Sequence, residues 1–177
     1  MMKKILIIAI LVTVIGAITF SGCLQTGTGL LVLKITDKPG DLNITKADVT
    51  ISRISVHLSS GNGNDSNATG WYTVVNESQT FDLITLQNNV TELLGNVTLK
   101  AGLYTQIRLY IEQAVLTIDG VEYDCKIPSD AIKLISPFQI SADNTTTLTL
   151  DFDIWESVHE KGNGNYTFKP TIKIIHG

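Results

Sequence analysis

The sequence from Tyr104 to Ile127, YTQIRLYIEQAVLTIDGVEYDCKI, contains the longest β-strand pattern of the chain. Apolar and polar residues alternate along both halves of this stretch, as they do in strands that bury one face. Between the two halves stands Asp119-Gly120, a pair that favours a two-residue hairpin turn of the primed type. The stretch therefore predicts a β-hairpin with strands over 104–118 and 121–127.

Strand patterns continue on both sides of this hairpin. Strand 30–36 is predicted to turn Leu31, Leu33 and Ile35 inward, and strand 47–58 changes the parity of its apolar residues near Ser52-Arg53. Because side chains alternate strictly along a strand, that change predicts a β-bulge or a crossing between sheets. Further strands are predicted over 71–75, 79–83, 147–154 and 166–175.

Two further signals refine this pattern. Pro170 lacks an N–H donor, which places the last strand at an edge or a bulge. Asn89-Val90-Thr91-Glu92-Leu93-Leu94-Gly95 has a capping residue, an acid three positions later and a terminal glycine, and it predicts one or two helical turns. The chain is therefore predicted to be all-β, an antiparallel β-sandwich of the immunoglobulin-like or transthyretin-like kind with one short helix. A closed barrel is the alternative.

The first residues have the composition of an export signal. Lys3 and Lys4 precede an apolar run over 5–20, and small residues lead to Cys23. This order is typical of a lipoprotein signal, in which Cys23 becomes the lipidated first residue. We expect a signal peptide over 1–22, a flexible tether over 23–29 and the domain over 30–177. If the segment is not cleaved, it serves instead as a membrane anchor, with the same outward topology.

Asparagine usage also indicates the outside of a cell. Eight of the eleven asparagines stand in Asn-x-Ser/Thr sequons, and they are predicted glycosylation sites: Asn43, Asn64, Asn67, Asn76, Asn89, Asn96, Asn144 and Asn165. A lipoprotein signal together with dense sequons suits an archaeal cell envelope, which we state as a hypothesis. The expected location is the extracellular face of the cell membrane.

Charge excludes some partners. The chain has 13 basic and 17 acidic residues, and loss of Lys3 and Lys4 leaves the mature chain more acidic still. An acidic balance argues against nucleic acid as a partner and against electrostatic docking on anionic lipid. The chain has two cysteines, Cys23 and Cys125, so no disulfide framework is expected. Cys125 is predicted to be a small core residue.

One group of side chains suggests an ion site. Asp151 and Asp153 alternate along a predicted strand, so their carboxylates share a face about 7 Å apart and could bind Ca²⁺ together with Asp37 or Asp82. The alternative is that the pair faces water or forms an ion pair with Arg108. The candidate cluster is thus Asp37, Asp82, Arg108, Asp151 and Asp153, and otherwise no cofactor is expected.

Enzymatic motifs are missing from the sequence, which has no Gly-x-Ser-x-Gly, His-Glu-x-x-His or phosphate-binding loop. The rival hypothesis of a metal-dependent hydrolase would use Asp151, Asp153 and His159. Four aromatic residues at predicted strand or loop ends are either exposed rings that can stack on sugars or, as is commoner, rings buried in the core: Trp71, Tyr72, Trp155 and Tyr166.

Five segments resemble a known family when they are taken in order: residues 36–41 (TDKPGD), 79–83 (QTFDL), 101–109 (AGLYTQIRL), 150–153 (LDFD) and 169–170 (KP). The set resembles the exported-lipoprotein family called domain of unknown function 4382, over about residues 30–176. The resemblance implies an envelope-associated, β-rich domain without an assigned catalytic role. Lys38 and Ile154-Trp155 depart from the expected pattern.

These observations together favour a non-catalytic, membrane-anchored surface lipoprotein with a role in envelope organisation or in binding a ligand or glycan. An accessory subunit of a surface transporter or adhesin is a second binding alternative. The expected partners are the membrane, through the lipid, and a surface glycan or envelope protein.

Overall fold

The computed structural model describes residues 27–40, 43–61, 70–129, 131–162 and 164–177. The predicted signal peptide, Cys23 and the sequons at Asn64 and Asn67 lie outside these ranges. Within them, no helix is long and apolar enough to span a membrane. The strands in chain order are β1 Thr28–Asp37, β2 Ile44–Gly61, β3 Gly70–Val75, β4 Gln79–Asp82, β5 Glu92–Lys100, β6 Gly102–Ile118, β7 Val121–Lys126, β8 Ile132–Ile140, β9 Thr145–Phe152, β10 Val158–Glu160, β11 Tyr166–Phe168 and β12 Ile172–His176.

The strands form two sheets packed face to face, which confirms the predicted all-β sandwich. The small sheet has the order β12-β9-β1-β5. The large sheet has the order β10-β11-β7-β6-β2-β3, with β4 also paired to β2 and β8 also paired to β6. The sheets are mixed and not purely antiparallel as predicted, because β1 pairs with β9 and β11 pairs with β7 in parallel, whereas the other pairs are antiparallel.

The core lies between the sheets and follows the predicted alternation. Leu31, Leu33 and Ile35 of β1 are fully buried, and so are Leu148 and Leu150 of β9 beside them. The β-bulge predicted near Ser52-Arg53 is confirmed, because the pairing of β2 with β6 shifts register between Thr50 and Arg53. This extra residue keeps apolar side chains inward on both sides of the shift, at Val49, Ile51, Ile54, Val56 and Leu58.

The hairpin between β6 and β7 is also confirmed. Asp119 and Gly120 have φ values of 51° and 79°, both in the left-handed region that a primed turn requires. Cys125 of β7 is buried, as predicted for a small core residue. Its Sγ donates to the carbonyl of Tyr123, and burial raises the pKa of its thiol to about 11, which keeps the thiol protonated at neutral pH.

The helix predicted over 89–95 is wrong. Asn88 and Asn89 take left-handed φ values of 58° and 67°, so they make a turn instead of a helix N-cap. The chain then continues as β5, which pairs with β1 through an antiparallel ladder. Within β5, Leu94 points into the core and Leu93 points outward. As a strand beside β1, the segment forms hydrogen bonds with its backbone N–H and C=O groups, many of which a short isolated helix would leave to solvent.

Helical turns occur elsewhere. A 3₁₀ turn covers Leu83–Leu86, and a four-residue helix, α1, covers Ile154–Ser157. Ile154 therefore leaves the strand predicted over 147–154, because β9 ends at Phe152. The strand predicted over 166–175 is divided into β11 and β12, which belong to different sheets, and Pro170 lies in the break. β1 starts at Thr28, so two residues assigned to the tether are part of the sheet.

The hairpin turn provides a test of the backbone argument. Substituting Gly120→Ala should lower the free energy of unfolding by about 1 kcal/mol, because φ of 79° is strained for any side chain although a Cβ would meet nothing within 4 Å. Chemical denaturation of the full chain measures the change. The control is Asp119→Asn, which suits the same turn type and should leave stability within about 0.5 kcal/mol. Equal stability of Gly120→Ala and wild type would contradict the strained turn.

Candidate functional site

The predicted acidic cluster is only partly brought together. Asp37, Asp151 and Asp153 lie within electrostatic reach of one another where β1 and β9 end side by side. Asp82 is engaged elsewhere, because one of its oxygens accepts from the backbone N–H groups of Ala47 and Ile84 and so caps the 3₁₀ turn. Arg108 lies in the large sheet, so the predicted contact between Arg108 and the acidic pair is wrong.

Asp37 is the buried member of this group, with 2% of its surface exposed. Its Oδ1 accepts from the backbone N–H of Ile154 at 3.0 Å, and its Oδ2 accepts from Nε2 of Gln87 at 2.9 Å. Burial raises the pKa of Asp37 to about 6, against the effect of these two hydrogen bonds. The carboxyl group therefore joins the end of β1 to the start of α1 at an electrostatic cost.

Asp153 has a different role directly before the first residue of α1. Its Oδ2 forms an ion pair of 2.9 Å with Nζ of Lys38, and its Oδ1 accepts from the backbone N–H of Glu156 as the N-cap of the helix. Partial burial disfavours the charged form, but the Lys38 ammonium and the cap outweigh it and lower the pKa of Asp153. For Asp151, burial raises the pKa despite the nearby Lys173.

These contacts give Asp37 and Asp153 a structural role. Each oxygen of Asp37 and of Asp153 already accepts a hydrogen bond from a neighbouring part of the chain. In the part of the chain that the structure describes, no three or more His, Cys, Asp or Glu side chains are placed to hold a metal ion. His159, the third residue of the hydrolase hypothesis, is exposed on β10.

A second candidate site lies on the outward surface of the large sheet, and we call it the Trp71 face. It consists of side chains from β2, β3, β6 and β8 that point away from the core: Arg53, His57, Trp71, Arg108, Tyr110 and Lys133. Trp71 is one of the four aromatic residues considered for stacking on sugars, and 37% of its surface is exposed. The grouping of Trp71 with both arginines of the chain could not be read from sequence spacing.

Strand register explains how the Trp71 face is assembled. His57 of β2 pairs with Trp71 on one side and with Gln106 of β6 on the other. In the next row, Ser55 pairs with Arg108, which pairs in turn with Lys133 of β8. Arg53 and Tyr110 form the third row. Successive rows are about 7 Å apart, since alternate residues of a strand share a face.

Cation–π contacts hold the two arginines in place. Cζ of Arg108 lies 4.0 Å from the centroid of the Trp71 ring, so its side chain crosses β2 and covers Ser55. Cζ of Arg53 lies 3.9 Å from the centroid of the Tyr110 ring. The His57 ring packs edge-on against Trp71 at 5.0 Å, and its Nδ1 is buried with no hydrogen-bond partner among the described residues.

The other predicted aromatic residues lie apart from this face. Tyr72 turns inward and meets the core ring of Tyr104, whereas Tyr166 packs edge-on against Tyr123. Trp155 is exposed on α1 above Gly40. The sequon asparagines that the structure describes are all exposed, and glycosylation stays a prediction: Asn43, Asn76, Asn89, Asn96, Asn144 and Asn165.

The unusual pKa of Asp37 predicts how stability depends on pH. A folded-state pKa near 6 against 3.8 in the unfolded chain means that the folded state holds this proton more tightly. The stabilisation by Asp37 is therefore complete below pH 4 and is lost as the pH rises through 6. In wild type, the free energy of unfolding should therefore fall by about 2 kcal/mol between pH 4 and pH 7 because of Asp37. Substituting Asp37→Asn should remove this fall.

Denaturant unfolding at several pH values between 4 and 7 measures this difference. The asparagine keeps an acceptor for Ile154 N–H, and a rotated Gln87 amide provides an acceptor for its NH₂ group. Asp153→Asn is the matched comparison, because its lowered pKa gives the opposite sign, with stability lost as the pH falls. Parallel pH profiles for Asp37→Asn and wild type would contradict the desolvated carboxyl group.

Comparison with known proteins gives a family and no activity. No curated protein matches the chain, and no solved structure matches it. One family model matches residues 28–170, which cover the two sheets as far as the end of β11 and Pro170. The match extends over most of the chain and includes the residues of the Trp71 face. The chain therefore belongs to the family described as domain of unknown function 4382.

Proposed function

We propose that this chain is a non-catalytic surface lipoprotein, anchored to the outer face of the cell membrane through Cys23, that binds envelope glycans on its Trp71 face. The observation that carries the proposal is the grouping of Trp71, Tyr110 and two arginines on the outward surface of the large sheet. Aromatic rings with polar neighbours suit sugars, whose C–H surfaces pack on a ring while their hydroxyl groups form hydrogen bonds.

The rigid position of these side chains supports binding. Each arginine is held against a ring, and the face stands on β2 and β6, which pair along most of their length. A site on paired strands loses little conformational entropy when it binds, so more of the contact energy is retained as affinity. Stacked arginines and a half-exposed tryptophan thus form a surface that is ordered before a ligand arrives.

The place of action is supported by the sequence. The apolar segment before Cys23 has the order of an export signal. Each sequon asparagine in the described part of the chain is exposed to solvent, as modification would require. From Cys23 to the first strand residue, Thr28, the chain has only a few residues, which would hold the domain close to the membrane surface.

Substituting Cys23→Ser tests the anchor. The native wild-type protein should partition into the membrane fraction and carry the additional mass of a lipid. The Cys23→Ser variant should lack that mass, because serine has no thiol to which the lipid can be attached. Mass spectrometry of the purified native protein and cell fractionation measure the two effects. An unlipidated wild-type protein in the cytosol with residues 1–22 intact would contradict the proposal.

Substituting Trp71→Ala tests the glycan site. Full-length protein in neutral detergent should bind members of a glycan array that contains both neutral and acidic sugars, and Trp71→Ala should weaken this binding at least about tenfold by removing the ring and the support of Arg108. Trp155→Ala is the matched control, because it removes an equally exposed tryptophan at another place. Absence of glycan binding by the wild type, or equal loss with both variants, would contradict the proposed site.

A further inference from the structure

We infer that the Trp71 face selects acidic glycans, polysaccharides with carboxylate groups, and this inference rests on the proposed function. The reason is the chemistry of the two arginines. When a guanidinium group stacks on a ring, the ring covers one flat side, and the N–H groups in its plane remain directed away from the ring. Arg53 and Arg108 are both stacked in this way.

Those N–H donors have no protein partner in the part of the chain that the structure describes. Neither guanidinium donates a hydrogen bond there, and the ion pairs present involve Lys38 with Asp153 and Lys46 with Asp48. A planar group with five donors in a fixed orientation matches a carboxylate, which accepts two parallel hydrogen bonds. The Trp71 face thus presents two prepared sites for carboxylates.

The surrounding side chains add positive charge and little that opposes it. Lys133 extends the Arg108 row on β8 and is exposed. The other outward positions in these rows are occupied by Ser55, Thr73, Gln106 and Ile135, which carry no charge. Glu112, the next acidic residue along β6, lies beyond the three rows and is directed toward Ser78, whose Oγ donates a hydrogen bond to it.

The Trp71 face is positively charged, whereas the chain as a whole has a formal net charge of −4. A net negative protein is repelled at long range by a uniformly anionic surface, so a lipid bilayer or a nucleic acid is disfavoured as the partner. A single glycan strand with spaced carboxylates contacts only the basic face. A localised basic face on a net negative chain therefore favours an extended acidic polysaccharide over a charged membrane.

The test compares two polymers of the same sugar, one with free carboxylates and one in which they are methyl esters. Full-length protein in neutral detergent should bind polygalacturonic acid at least about tenfold more tightly than its fully methyl-esterified form, since the ester removes the carboxylate that the guanidinium groups recognise. Calorimetry or biolayer interferometry measures both affinities. Equal affinity for the two polymers would overturn the inference.

Variants separate geometry from charge. Substituting Arg108→Lys keeps the positive charge but removes the planar donor group, and affinity for polygalacturonic acid should fall about tenfold. Arg53→Lys should act in the same direction. Lys161→Gln, which removes an exposed cation outside the face, is the control and should change affinity less than about twofold. Unchanged binding by Arg108→Lys, with an unaltered melting temperature, would overturn the role of the stacked arginines.

Two further probes identify the class of polyanion. Poly-L-glutamate presents carboxylates without sugar, and vesicles with anionic lipid present charge on a bilayer. Binding to either as tight as binding to polygalacturonic acid would overturn the assignment to a glycan. The glycan array separates the two proposals: binding confined to neutral sugars would overturn acid selectivity and retain glycan binding, whereas binding to no sugar would overturn both.

Discussion

The register shifts where β2 runs beside β6, between Thr50 and Arg53, determine which side of the large sheet each residue faces. A shift of one residue moves every later side chain to the opposite surface of a strand. Without the bulge in β2, the side chains of Ile54 and Val56 would point to solvent, and those of Arg53 and His57 would point into the core. Burying an unpaired arginine costs several kcal/mol, so the bulge is required both for the packed core and for the polar outer face.

Local alternation was enough to predict most of the sandwich from sequence. The inward positions of β1 and β9, the bulge in β2 and the turn at Asp119-Gly120 depend on residues close together in the chain, and the structure confirms each of them. The helix predicted around Leu94 is wrong for a reason that is not local in the sequence. Its capping pattern is compatible with a helix, but an unpaired edge of β1 is available to it, and a ladder of backbone hydrogen bonds outweighs a weak local preference.

The sequence assembled the acidic group only in part and the Trp71 face not at all, because each depends on strands that are distant in the chain. Asp37 and Asp153 meet only because β1 inserts beside β9 in parallel, and their partners are Gln87 and Lys38, not Arg108. Their residue types resemble a cation site. Their hydrogen bonds show instead how a β-rich chain closes the ends of its strands, with carboxylate oxygens accepting from backbone N–H groups that would otherwise lack partners.

The same stacking that orders the Trp71 face also restricts what it can recognise. Arg108 covers part of the Trp71 ring, and Arg53 covers part of the Tyr110 ring. A neutral sugar would therefore find less free aromatic surface than on the same two rings without the arginines. An acidic sugar loses nothing by this arrangement, because its carboxylate meets the donor edge of a guanidinium group whose position is already fixed. In the proposed glycan site, stacking would therefore lower the affinity for uncharged sugars and raise it for acidic ones, so that one surface could discriminate between sugars of similar shape.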